Sequence, residues 1–324
     1  MMCSRIKNGV NGTWQFAINS FNGSPKTYIF DIRNSQFIIG DIGGSEQLRL
    51  VPFHVSQLKN ISGAIKWLGI RGIDNTNLLL VFLFEQRTRK YYLVTMRDDG
   101  VTINVVYEHF IYVERIVELT QSFVMKDENE HLYAVISWQM GDEHPKTSLH
   151  VQRINISPQS GMITTRILMN GSVNGNWFRP FIFESHIILR AGITHCLSCP
   201  LRRAPKSPSE DSSPTETIEP SIHAINTASL ICNSNSAFFG PVLYKDLALH
   251  YIYDAVINAG RLWAFHWRSS QWRSTKVVLT RHALNKFVTM YTINDMLYMH
   301  GDCATATCRK RAHIHCIDLR NEFL

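Results

Sequence analysis

Two groups of cysteine and histidine in this chain have the spacing of metal ligands. In His195-Cys196-Leu197-Ser198-Cys199 a two-residue gap separates the thiols, the interval that lets both thiolates reach one zinc ion. Further along stand His300, Cys303, Cys308, His313, His315 and Cys316. The Cys-x-x-Cys pair and this distant second group could together complete a four-ligand site. Against that, four residues separate Cys303 from Cys308, and neither group carries the glycines of a zinc knuckle. If His313 to Cys316 is a strand, alternation sends His313 and His315 to one face and Ile314 and Cys316 to the other, which makes Cys316 a core residue. The expectation is therefore ordinary buried or surface thiols and no cofactor, with zinc binding as the alternative.

Nucleophilic and phosphate chemistry have less to build on. The chain contains no G-x-S-x-G elbow, no H-E-x-x-H and no P-loop, and Gly40-Asp41-Ile42-Gly43-Gly44 has neither the spacing of a dinucleotide loop nor a helical pattern after it. It reads as the turn that ends a strand. The stretch from Arg261 to Lys276 mixes cations with Trp263, Phe265, Trp267 and Trp272 and could stack on nucleic-acid bases. Alternation argues for packing instead: Trp263, Phe265 and Trp267 share one strand face, opposite Leu262, Ala264 and His266. That leaves Arg268, Trp272 and Arg273 in the following turn as rim residues of a binding face.

The elements that must hold these residues are strands. Short runs of Val, Ile, Leu, Tyr, Phe and Trp, bounded by Gly, Asn, Asp, Pro or Ser, recur along the chain, and long windows of helical periodicity are absent. The runs pair up: Trp14 to Ile18 with Tyr28 to Ile32, Leu78 to Phe84 with Tyr91 to Met96, and Leu132 to Trp138 with Leu149 to Ile154. Then come Ile187 to Leu189 with Thr194 to Leu197, Ala248 to Tyr253 with Leu262 to Trp267, and Leu297 to His300 with Ile314 to Leu319. Six units starting 49 to 64 residues apart match the period of β-propeller blades. The last unit lacks an outer strand of its own. Either Cys3 to Ile6 supplies it or the ring is incomplete.

A sequence echo accompanies the cadence. Phe30-Asp31-Ile32-Arg33-Asn34 in the first unit parallels Ile317-Asp318-Leu319-Arg320-Asn321 in the last, and Leu297-Tyr298-Met299-His300-Gly301-Asp302 precedes the latter. This resembles the kelch repeat, in which a strand ends in a glycine pair and a second strand finishes in Asp before the next turn. Asp302 stands where the second glycine would be, and the Tyr and Trp positions of that consensus are not regularly placed. The expected fold is all-β: a single kelch-like β-propeller over residues 1–324, with six blades. Another propeller family and two β-sandwich domains are the alternatives. The resemblance implies an interaction module, of the kind that serves as a substrate receptor for ubiquitin ligases when a BTB or F-box domain is attached. No such domain is visible, so an adaptor role would need a separate partner.

Composition narrows the classes. With 45% hydrophobic, 11% aromatic and only 18% charged residues, the chain has ample apolar surface to bury and is neither disordered nor a coiled coil. Its most apolar run, Leu78 to Phe84, is too short for a membrane span, which takes roughly 20 residues. Seven scattered cysteines and an N-terminus without a continuous apolar core point to reduced thiols in the cytoplasm or nucleus. Residues 202–220 are rich in Pro, Ser and Thr and are expected to form a disordered loop, in which Ser207 and Ser213 precede prolines as candidate phosphorylation sites.

The net charge of +7 is concentrated at the two ends: six basic against three acidic residues in 1–60, and eleven against six in 241–324. In a propeller the first and last blades are neighbours and would form one basic sector, where Arg309, Lys310 and Arg311 would meet an acidic partner. The expected function is a noncatalytic protein-interaction scaffold that binds through its loops. A propeller-built enzyme or zinc protein is one alternative, and a nucleic-acid binder working through the basic sector is another.

Overall fold

The structure is a computed structural model of the chain, and it describes all residues except 1, 7–13, 22–23, 43–47, 114–119, 141–144, 176, 192–194, 202–215, 218–220, 225–235, 304–311 and 324. The described residues are almost wholly strand and turn, and no helix among them is long and apolar enough to cross a membrane.

The first strand, β1 (Met2–Ile6), belongs with the last blade and is placed below. Blade one is β2 (Trp14–Phe21), β3 (Ser24–Asp31), β4 (Gln36–Asp41) and β5 (Arg49–Pro52). Blade two is β6 (Ile65–Gly72), β7 (Leu78–Glu85), β8 (Lys90–Asp98) and β9 (Ile103–Ile111). Blade three is β10 (Thr120–Lys126), β11 (Leu132–Met140), β12 (Lys146–Ile156) and β13 (Ile163–Asn174). Blade four holds β14 (Phe178–Phe183), β15 (His186–Ala191) and β16 (His195–Pro200). A short strand, β17 (Glu216–Thr217), returns to blade three, and β18 (Ser221–Ala224) completes blade four. Blade five is β19 (Ser236–Tyr244), β20 (Leu247–Asp254), β21 (Ala259–His266) and β22 (Gln271–Leu279). Blade six is β23 (Leu284–Ile293), β24 (Met296–Cys303) and β25 (Ala312–Asp318), with β1 antiparallel to β25 as its fourth strand. Six sheets in chain order, antiparallel except where β17 joins β13, make the fold a six-bladed β-propeller. The missing outer strand of the last blade thus comes from the N-terminal segment.

The strands group into two compact units of three blades each: Thr13–Asn176 with Leu201–Glu219, and Met1–Gly12 with Trp177–Pro200 and Pro220–Leu324. Within each unit the core lies between successive blades. Strand β7 shows why its sequence is an unbroken apolar run. Leu79, Val81 and Leu83 pack into the core shared with blade one, and Leu80 and Phe82 into the core shared with blade three. A strand covered on both faces has no solvent side on which polar residues would alternate. Strand β20 repeats the arrangement: Leu249 and Tyr251 turn toward blade six, and Ala248 and Ile252 toward blade four. In the first core Phe30 stacks on Trp67, with ring centroids 3.8 Å apart. Each such buried aromatic contributes about 1.5–3 kcal/mol through apolar burial.

Polar pins cross the same cores. Asn19 of β2 is buried and donates to the carbonyls of Thr76 (2.9 Å) and Leu78 (3.1 Å), and Thr95 of β8 donates to Gly161 at 2.7 Å. In the other unit the Tyr251 hydroxyl accepts from the Leu284 N–H (2.9 Å), and Thr292 donates to the Leu243 carbonyl at 2.7 Å.

Two expectations change here. Asp31 and Asp318 do start turns alike, each accepting the N–H two residues on, at 3.0 and 3.1 Å. But Asp31 ends the second strand of its blade and Asp318 the third. The echo is one of turn chemistry, which Asp254 and Asp127 share, and not of equivalent blade positions. The 202–220 segment is not structureless throughout either. Glu216 and Thr217 pair parallel to Gly171 and Ser172, because β13 is a blade edge whose backbone groups are open to another strand. Ser207 and Ser213 lie outside the described residues.

Candidate functional site

Strand geometry separates the Cys-x-x-Cys pair. Cys196 and Cys199 lie in the regular strand β16, three residues apart and therefore on opposite faces. Both are fully buried, and burial pushes their thiols up, to about 11 and about 12. Spacing that serves a knuckle on a turn cannot bring two thiolates to one ion on a strand. These are packing residues.

The second group behaves differently. In blade six, Gly301 pairs with His313 and Met299 with His315, so Met299, Gly301 and Cys303 of β24 share one face with His313 and His315 of β25. Cys316 falls on the other face and is buried, as alternation requires. His300 also lies on that other face, opposite Ile314; burial, with His313 nearby, holds its ring down to about 3.

His282, from the connection between β22 and β23, reaches the edge of the first face. Its Nδ1 lies 3.8 Å from Cys303 Sγ, and its ring stacks on that of His313 with centroids 4.7 Å apart. Ligand atoms of His282, Cys303 and His313 all fall within 4.8 Å of one another. The backbone of His282 has φ of +64°, a left-handed conformation uncommon for a residue with a side chain. It is secured by His315, whose Nε2–H donates to the His282 carbonyl at 3.0 Å. Since a carbonyl only accepts, that bond fixes the proton of neutral His315 on Nε2. His315 is itself buried, which lowers its pKa.

His282 was not among the residues the sequence singled out. A lone histidine twenty-one residues before Cys303 carries no motif, and only the fold brings it there. Cys308 lies outside the described residues.

The expected rim residues divide. Arg268 sits exposed in the turn between β21 and β22 and pairs with Glu184 of blade four. Arg273 is exposed on β22. Trp272 is a correction: it lies within β22 and not in the turn, and only 3% of it is exposed. It shares the face of Phe265, packs edge-on against His250, and carries the Arg190 guanidinium 5.0 Å above its ring. Trp263 and Phe265 are core, as their alternation implies, whereas Trp267 falls in the turn and is half-buried. Arg309, Lys310 and Arg311 lie outside the described residues.

In the same blade, Arg261 of β21, Arg273 and Lys276 of the edge strand β22, and Arg281 just beyond it are all exposed, and among the described residues none of them makes an ion pair. Arg261 and Lys276 lie on one face of the β21–β22 pair beside the exposed Val278, and Arg273 lies on the other.

No protein-family model matches the chain, and no curated protein matches it. Solved structures match it in fold. The α-L-arabinofuranosidase of Fusarium graminearum in complex with arabinobiose is 11% identical, with a TM-score of 0.50 over 97% of this chain and 95% of that one. A mutant of the same enzyme with an iminosugar inhibitor is also 11% identical, with a TM-score of 0.50 over 96% and 95%. A prolyl endopeptidase matches at 10% identity and a TM-score of 0.45, over 95% of this chain and 47% of that one. At such identities the likeness is one of fold alone, and the chain is a six-bladed β-propeller similar in architecture to the arabinofuranosidase.

Proposed function

We propose that the protein is a noncatalytic interaction scaffold whose fifth blade docks an acidic protein segment. The observation that carries this reading is the group of cations on the outer two strands of that blade and just beyond them: Arg261, Arg273, Lys276 and Arg281, exposed and outside any ion pair among the described residues. Three like charges on the outer strands of the sheet, with Arg281 just beyond β22, raise the local potential and favour an anionic chain without first having to release an internal partner. Asp turns that end the second strand of a blade, at Asp31 and Asp254, are consistent with a divergent kelch-type propeller. Residence in the cytoplasm or nucleus belongs to the same reading.

The test is affinity capture by the intact chain and by Arg261→Glu/Arg273→Glu/Lys276→Glu, across a salt series, with duplex DNA as a parallel probe. A protein partner held by the intact chain, released by salt and lost by the variant supports the proposal. A partner set unchanged by charge reversal, no reproducible protein partner, or charge-dependent binding of DNA alone would overturn it. A second variant reversing Arg309, Lys310 and Arg311 asks whether the terminal sector contributes.

A further inference from the structure

We propose that His282, Cys303 and His313 form a binding site for one zinc ion at the edge of blade six. The donor set is two imidazoles and a thiol, with no carboxylate in the cluster among the described residues. Calcium and magnesium take oxygen ligands, whereas nitrogen and sulfur together select zinc and its neighbours among the transition metals.

The geometry is close to what zinc requires. For a tetrahedral ion with bonds of about 2.3 Å to sulfur and about 2.0 Å to nitrogen, ligand atoms sit about 3.5 Å apart. Cys303 Sγ and His282 Nδ1 are already at 3.8 Å, and the remaining separations, up to 4.8 Å, close by tilting the two stacked rings toward a common point. Closure costs little backbone movement, because two of the three ligands stand on facing strands. His313 lies across from Gly301, two residues before Cys303 on the same face.

The third ligand comes from a turn, and the fold holds that turn in place. The His315 bond to the His282 carbonyl ties the β22–β23 connection to the strand that carries His313. Histidines next to a metal are commonly oriented by such outer contacts. Three protein ligands leave the fourth tetrahedral position to water or to an added ligand, and Cys303 and His282 are both half-exposed, so the site opens toward solvent. On binding, the Cys303 thiol gives its proton to solvent and coordinates as thiolate.

The experiment uses the full chain, stripped with a chelator and titrated with Zn²⁺ in competition with a chromophoric chelator. Co²⁺ then replaces zinc as a spectroscopic probe. One equivalent of zinc is expected, together with a thiolate-to-cobalt charge-transfer band and no response to Mg²⁺ or Ca²⁺. Cys303→Ser should abolish the band and weaken zinc binding by about 100-fold or more, at or beyond the loss typical of an outer-shell contact. Cys196→Ser and Cys199→Ser should change neither. His282→Ala, in a turn, should weaken binding without unfolding the blade, and it decides the question if Cys303→Ser folds poorly. Absence of a one-equivalent site, a charge-transfer band that survives Cys303→Ser, or one that disappears with Cys196→Ser or Cys199→Ser would overturn the proposal.

Discussion

Glu85, at the end of β7, is a buried carboxylate that serves as a hub. It accepts the N–H groups of Ser62 (3.1 Å) and Gly63 (2.8 Å), the Thr88 hydroxyl, and the Tyr92 hydroxyl at 3.3 Å. These donors, the Thr88 hydroxyl first, favour the charged form and hold its pKa below the usual carboxylate value despite burial. In the unfolded chain the group binds protons at higher pH, so its contribution is present above the unfolded pKa and is lost as pH falls through the depressed folded one. Glu85→Gln should lower the unfolding free energy measured in urea at neutral pH by about 1.5–3 kcal/mol, the worth of hydrogen bonds to a charged group. The gap from the natural chain should narrow on acidification, and a gap that widens would contradict this account. Nothing in the sequence marked Glu85, whereas the turn-forming role of Asp31 and Asp318 was legible because a carboxylate bonds its own backbone locally. Local chemistry can be read from neighbours in sequence. The meeting of His282 with Cys303 depends on a chain reversal that no nearby residue records.

Among elements, the strands most visible in the sequence were those covered on both faces. All six expected pairs are antiparallel neighbours, from β2–β3 to β24–β25. The strands that were missed tend to lie at blade edges. In β9 and β22, exposed and buried residues mix along one strand; in β22 Trp272, Thr275, Val277 and Leu279 are buried while the residues between them are exposed. Their polar residues mimic loops, and this is also why Trp272 was assigned to a turn. A close approach inside blade five gives a second prediction. A Cβ on Gly260 would lie 1.7 Å from the Tyr251 hydroxyl, whose ring is fully buried and whose oxygen accepts from Leu284 in blade six. Gly260→Ala should therefore cost about 1–3 kcal/mol through overpacking. Tyr251→Phe, which strands the Leu284 N–H without a clash, should cost about 1–3 kcal/mol. Thermal unfolding of the two variants measures both, and a neutral Gly260→Ala would mean that Tyr251 can move aside.

At the scale of the molecule, the blade count followed from a repeating interval, while the family resemblance rested on residues that turn out to occupy different strands of their blades. Period survives divergence because each blade must bury both faces of its middle strands; consensus residues need not. The N-terminal strand has a kinetic consequence. During synthesis Met2–Ile6 emerges before every other described strand, and its partner β25 emerges after them, with Met2 finally paired to Cys316. Loop-closure entropy grows only logarithmically with length, so this long-range pairing weighs little on equilibrium stability. Because closing so long a loop must precede the contacts it brings, we expect the pairing to form late, after the folding barrier has been crossed. Removing residues 2–6 should consequently speed unfolding and leave the refolding rate nearly unchanged, which the two arms of a denaturant chevron separate. A slowed refolding arm would place the pairing in the nucleus. If it forms late, β1 acts as a latch on the blade that carries His313, governing how long the folded molecule lasts and hardly at all how fast it forms.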